Sequence, residues 1–149
     1  MQQDELSLLL NEALRALYQR DLGMIERDAN ERAITGRLAH YLDDRFPAYD
    51  VTAEYNRHGV DPKEVELPNG DGLLTMVRVF PDIIVHQLGD DIDNLLVIEA
   101  KKSSNPATDE ADIRKLAAIK ERMNYQHAIF LRLPVGQGAQ AGDVEIRWV

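Results

Sequence analysis

Sixteen residues separate Asp82, which follows Pro81, from Glu99, and Lys101 lies two positions beyond Glu99. Both acids flank short apolar runs, Ile83-Ile84-Val85 and Leu95-Leu96-Val97-Ile98. Side chains alternate faces along a strand, so Val97, Glu99 and Lys101 share one face while Ile98 and Ala100 share the other. If residues 82–86 pair as a hairpin with residues 95–101, Asp82 comes alongside, and two carboxylates meet one amine. Hydrolysis of a phosphodiester needs charge neutralised on the phosphorus oxygens, hydroxide formed near neutral pH and the departing alkoxide stabilised. A divalent cation serves all three needs. Magnesium takes oxygen ligands and is commonly held by one or two carboxylates, which suits Asp82 and Glu99. Lys101 beside it would orient the attacking water or offset charge in the transition state. The plain alternative is a Glu99–Lys101 ion pair at a strand end with Asp82 capping a turn. Against it stands the unbroken apolar run before Glu99, which marks a strand covered on both faces, where a charged pair is costly to desolvate.

The elements that must position these residues are legible as periodicities. Leu6, Leu9, Leu10, Ala13 and Leu17 recur at helical spacing from residue 4 to about residue 20, leaving Leu8 and Leu14 off the stripe, and Gly23 is the expected terminator. A second helix is expected from about Asp28 to Arg45, with Ile34, Leu38, Tyr41 and Leu42 inward and Pro47 beyond its end. Glu31 then falls near the buried face of its first turn. Strands are expected at residues 50–57, 73–80, 83–87, 95–101, 126–133 and 144–149, each rich in β-branched or aromatic residues. The segment from His58 to Gly72, with Pro62, Pro68 and Asn69-Gly70-Asp71-Gly72, reads as an exposed loop. Pro81 breaks the ladder just before Asp82 and so helps to aim it. A third helix is expected from Thr108 to Met123, with Ile113, Leu116, Ala117 and Lys120 on one face and Thr108 or Asp109 as cap. Lys102, Ser103, Ser104 and Asn105 follow the motif directly as either a phosphate-contacting or a solvated loop, and Lys115 and Lys120 pose the same choice. The outcome is a mixed α/β domain with one sheet flanked by helices.

Pro81-Asp82, then Glu99-Ala100-Lys101 at the end of an apolar strand, then a helix and another strand, resembles the PD-(D/E)XK nuclease superfamily. The resemblance spans about Glu31 to Leu133. It implies a restriction-endonuclease-like mixed β-sheet flanked by helices, with core order α-β-β-β-α-β, plus here an extra N-terminal helix and a C-terminal strand. It also implies that Asp82 and Glu99 are metal ligands, with the main-chain carbonyl of Ala100 as a third, and that Lys101 is the catalytic lysine. Glu31 matches a glutamate of the first core helix that assists at the metal, directly or through water, in many members. The cofactor implied is Mg2+, for which Mn2+ can substitute. Glu54-Tyr55-Asn56-Arg57 further resembles uncharacterised bacterial domains of the superfamily, which bring no function with them.

Size and charge bound these expectations. At 149 residues with 44% hydrophobic and 29% charged, the chain fits one domain over residues 1–149: an N-terminal helix (1–22), a core (28–133) and a C-terminal strand extension (134–149). Lacking cysteine, it has neither disulfides nor a thiolate zinc site, which is compatible with a reducing cytoplasm, where we place it. Its apolar stretches are too short to span a bilayer, and no membrane partner is expected. The net charge of −9 argues against general coating of nucleic acid but not against a carboxylate metal site, which is negative until filled. Two readings stay open. One is a metal-dependent nuclease acting on nucleic acid, DNA in the first instance, as a homodimer or part of a larger assembly. The other is a catalytically inactive module of the same fold that binds a protein partner or nucleic acid.

Overall fold

The computed structural model describes residues 1–53, 63–68, 74–79, 81–87 and 93–149. Among the described residues, four α-helices, α1 (Gln3–Arg20), α2 (Leu22–Glu26), α3 (Glu31–Asp43) and α4 (Glu110–Arg122), accompany seven strands. The strands are β1 (Asp50–Ala53), β2 (Lys63–Pro68), β3 (Leu74–Val79), β4 (Ile83–His86), β5 (Leu96–Lys102), β6 (His127–Leu133) and β7 (Glu145–Trp148). Five strands form one sheet in the order β1-β4-β5-β6-β7, and β2 and β3 pair as a separate antiparallel ribbon. Within the sheet only β5 and β6 run parallel, joined across α4 by a crossover, as a parallel pair requires. The fold is thus mixed α/β, a five-stranded mixed sheet flanked by helices.

Alternation along β5 sorts the core into two layers. Ile98 and Ala100 face α1 and α3, where Leu6, Leu10, Leu17, Ile34, Leu38 and Leu42 are fully buried. Val97 faces the other way and packs with Phe130 of β6 against Leu116 and Ile119 of α4. β5 is therefore covered on both faces, and its residues Leu96 to Ala100 are all buried.

Several local expectations are corrected. Gly23 does not end the first helix: the chain turns at Asp21, whose N–H bonds the Leu17 carbonyl, and Gly23 lies inside α2. Leu14, off the expected stripe, is buried at 1% exposure because α1 packs along α3, α2 and the turn at residues 141–143, whereas Leu8 is 57% exposed. α3 begins at Glu31 rather than Asp28, capped by the Asn30 side chain, which accepts the Ala33 N–H at 2.8 Å. Asp28 is in the left-handed region with φ 54° and cannot belong to the helix. Residues expected as loop include strand β2, whose sequence Glu64-Val65-Glu66-Leu67 alternates charged and apolar residues and which registers Lys63 against Val79 of β3. On α4 Leu116 and Ile119 are buried with the expected Ile113 packed beside them, and Ala117 is exposed. The Glu54–Arg57 segment lies outside the described residues. No helix among the described residues is long and apolar enough to cross a membrane.

Candidate active site

The site begins where β4 stops pairing. The β4–β5 ladder runs from Val85 opposite Leu96 to Ile83 opposite Ile98 and ends there, because Pro81 has no N–H to extend it. β5 continues for four more residues, leaving its outward N–H groups without a strand partner on that edge. Carboxylates fill the gap. Asp82 Oδ2 accepts the Ala100 N–H at 2.9 Å, and Glu31 Oε1, from the first turn of α3, accepts the Lys102 N–H at 2.8 Å. A residue's N–H and C=O leave a strand on the same edge, so the Ala100 carbonyl is directed to the Asp82 side.

Glu99 stands on the α4 face, in register with Phe130, and is 4% exposed. Asp82 is close enough for its charge to bear on Glu99. Burial first, and the Asp82 charge second, push the Glu99 carboxyl well above the usual carboxylate range, against the opposing pull of the Lys115 ammonium. Lys115 comes from α4 and places Nζ 2.7 Å from Glu99 Oε1. The contact is a short ion pair between a half-buried ammonium and a buried carboxylate. For Lys115 itself burial works to lower the pKa, and Glu99, with Asp82 and Asp112 adding, outweighs it and raises the value.

The expected cluster of Asp82, Glu99 and Lys101 therefore differs in its amine. Lys101 Nζ is 2.6 Å from Asp112 Oδ2 and donates to the Thr108 carbonyl at 3.0 Å, both at the start of α4. Its face is the one expected, yet its long stem carries the ammonium toward the helix, and Lys115, three residues after Asp112, takes the place beside Glu99. Glu31 reaches the same strand edge two residues further along and is also bonded by Asn105 Nδ2 at 3.4 Å. Among the described residues no three His, Cys, Asp or Glu side chains gather closely enough to hold an ion, so the converging pair is Asp82 with Glu99 and Glu31 stays beside it. The donor set at that pair is two carboxylates and one main-chain carbonyl edge. An all-oxygen set with two carboxylates suits magnesium, which completes its shell with water or phosphate oxygens. A buried carboxylate crowded by a second one also fits, because a divalent cation relieves the repulsion that both otherwise bear.

The loop after β5 is exposed at Ser103, Ser104 and residues 106–108 and is tethered by bonds from within the chain. Arg132 of β6 donates to the carbonyls of Lys102, Asn105 and Ala107 and pairs with Asp109. Asp109 starts α4 but spends its carboxylate on Arg132, making no side-chain cap. Lys102 Nζ is bound to Asp28 at 2.9 Å and to the Ala29 carbonyl at 3.2 Å, and Ser104 Oγ donates to Asp28 at 3.0 Å. Lys120 donates to the Val149 carbonyl at 2.9 Å. His86 is buried and shares a 3.2 Å hydrogen bond with Thr52, a packing role. Sequence reasoning missed Asp112 altogether and weighed Lys115 as a phosphate contact or a solvated residue, not as a partner of Glu99. The available signal was Asp109, Asp112 and Lys115 at three-residue intervals, one polar edge of α4 beside the Leu116–Ile119 stripe. Compared with known proteins, the chain gives no significant match to a family model, to a curated protein or to a solved structure.

Proposed function

We propose that the protein is a metal-dependent nuclease that hydrolyses phosphodiester bonds of nucleic acid, DNA in the first instance, at the Asp82–Glu99 pair. The observation that carries the reading is the meeting of two carboxylates, one of them 4% exposed, at the point where β4 and β5 part. Burying a carboxylate beside another is expensive for a purely structural pair and is a common arrangement where a site is built for chemistry. The order α3-β1-β4-β5-α4-β6, with the β2–β3 ribbon inserted, supports the restriction-endonuclease-like reading of the fold.

A bound Mg2+ or Mn2+ would supply charge neutralisation and an acidified water. Asp82 and Glu99 would hold it, with the Ala100 carbonyl at the same edge. The Ala100 N–H fixes one oxygen of Asp82, and α4 shields Glu99 from solvent, so both ligands are aimed before the ion arrives. Lys101 lies on the Glu99 face of β5, so release from Asp112 would let it serve the phosphate. Glu31 holds the Lys102 N–H and so fixes the course of β5 beyond the pair.

A second reading, a catalytically inactive module that binds a protein partner or nucleic acid, is favoured by one observation. The basic groups around the pair, Lys101, Lys102, Lys115 and Arg132, are all engaged with acids or carbonyls of the chain itself. The test is cleavage of plasmid DNA, single-stranded DNA and RNA in Mg2+ or Mn2+, comparing the wild type with Asp82→Ala, Glu99→Ala and Lys101→Ala. Cleavage lost in the first two variants supports the nuclease. Cleavage that persists in all three removes the assignment, and retained binding without metal uptake or cleavage supports the module.

A further inference from the structure

Lys115 occupies an unusual position. Its ammonium lies 2.7 Å from an oxygen of Glu99, a carboxylate whose side chain is 5% exposed, while its own side chain is 24% exposed. The stem thus enters from the rim of the site with its charge pointing inward, and the ammonium contacts the same carboxylate that a cation would need. Asp82 and Asp112 both add to the field that holds it there. Lys101, by contrast, is held on Asp112.

We propose that Lys115 is a built-in counter-ion for the carboxylate pair: it occupies Glu99 in the metal-free protein and competes with a divalent cation for that carboxylate. This rests on the reading of Asp82 and Glu99 as a cation site. Two geometric facts carry it. Lys115 sits at the partly exposed end of the pair, so its long stem can carry the ammonium out to water, whereas Glu99 is fixed by β5 and cannot follow. The contact is also made to Glu99 Oε1 at 2.7 Å, so a cation that takes that oxygen displaces the ammonium. The arrangement keeps a buried carboxylate compensated without metal, and the proximity of like charges sets the competition once metal arrives.

The test is Mn2+ binding to the full chain at pH 8, read by electron paramagnetic resonance of free Mn2+ and by calorimetry. Lys115→Met should tighten Mn2+ by at least about tenfold, because a unit positive charge at contact distance is removed. Lys120→Met removes the same charge from the same helix, away from the pair, and should leave the affinity within about twofold. Tightening is the informative direction, since a variant that merely damages the site weakens binding. Lys115→Gln provides the same reading if the methionine variant does not fold. Affinity that is unchanged or weakened in the Lys115 variants, with the wild type binding Mn2+, overturns the counter-ion while leaving the metal site standing. If neither wild type nor variants bind Mn2+, both the counter-ion and the metal site fall.

Discussion

Glu31 is the site residue whose structural role can be weighed most directly, by substituting Glu31→Ala and Glu31→Gln. Its Oε1 accepts the Lys102 N–H at 2.8 Å, a strand donor left without a partner when β4 ends. A hydrogen bond to a charged group contributes roughly 1.5–3 kcal/mol net, and an unsatisfied buried donor costs about 1–3 kcal/mol; the two describe the same loss, so about 2 kcal/mol is taken once. Its place in the first turn of α3 adds about 0.3–1 kcal/mol from the helix dipole. Alanine should therefore cost about 2–3 kcal/mol. Glutamine keeps an oxygen acceptor and loses the charge, for about 1 kcal/mol. In a chain of this length each kcal/mol moves Tm by roughly 2–4 °C, so the expected losses are about 5–10 °C for alanine and about 2–4 °C for glutamine. The assay is urea and thermal unfolding followed by circular dichroism in EDTA, which removes any contribution from metal. An alanine variant within about 0.5 kcal/mol of the wild type, or a glutamine variant as costly as alanine, would refute the strand-edge role of Glu31.

Three further outcomes follow from the same contacts. Because the Glu99 carboxyl titrates well above its unfolded value of 4.5, the native state binds the extra proton, so metal-free stability should fall as pH rises from about 4.5 through the raised native value. Glu99→Gln should flatten that dependence, which unfolding curves in EDTA across the pH series will check; an unchanged slope counts against the buried pair. Leu14→Ala should cost about 2–5 kcal/mol and Leu8→Ala less than about 0.5 kcal/mol, a contrast read in urea midpoints, since one side chain is buried and the other exposed. Arg132→Met should cost about 2–4 kcal/mol and speed amide exchange from Lys102 to Asp109, because three carbonyls and a carboxylate lose their shared donor.

Much of the frame was legible along the chain. The stripes of α1 and α3, the apolar runs of β4 and β5 and the face shared by Glu99 and Lys101 all follow from backbone periodicities that are local by nature. Strand β2 was hidden by Pro62, Pro68 and the turn formers after it, although its charged-apolar alternation was present. Gly23 misled because glycine marks a helix end only when the chain there needs a left-handed residue, and the turn at Asp21 came first. Leu14 misled because α1 meets α3, α2 and the turn at residues 141–143, which widens its buried arc beyond one stripe.

By itself the sequence determined that Asp82 would precede one strand, that Glu99 would follow the apolar run of the next, and that Glu99 and Lys101 would share a face, since alternation belongs to the strand wherever it is placed. Only the tertiary structure decided which ammonium meets which acid. α4 is seated on the sheet by Leu116 and Ile119, and that seating sets Asp112 opposite Lys101 and Lys115 opposite Glu99. Lysine stems are long and flexible, so their partners are chosen by whichever charge the packed helix brings within reach. Glu31, 71 residues from Lys102 along the chain, likewise found its donor only because α3 packs over the open edge of β5.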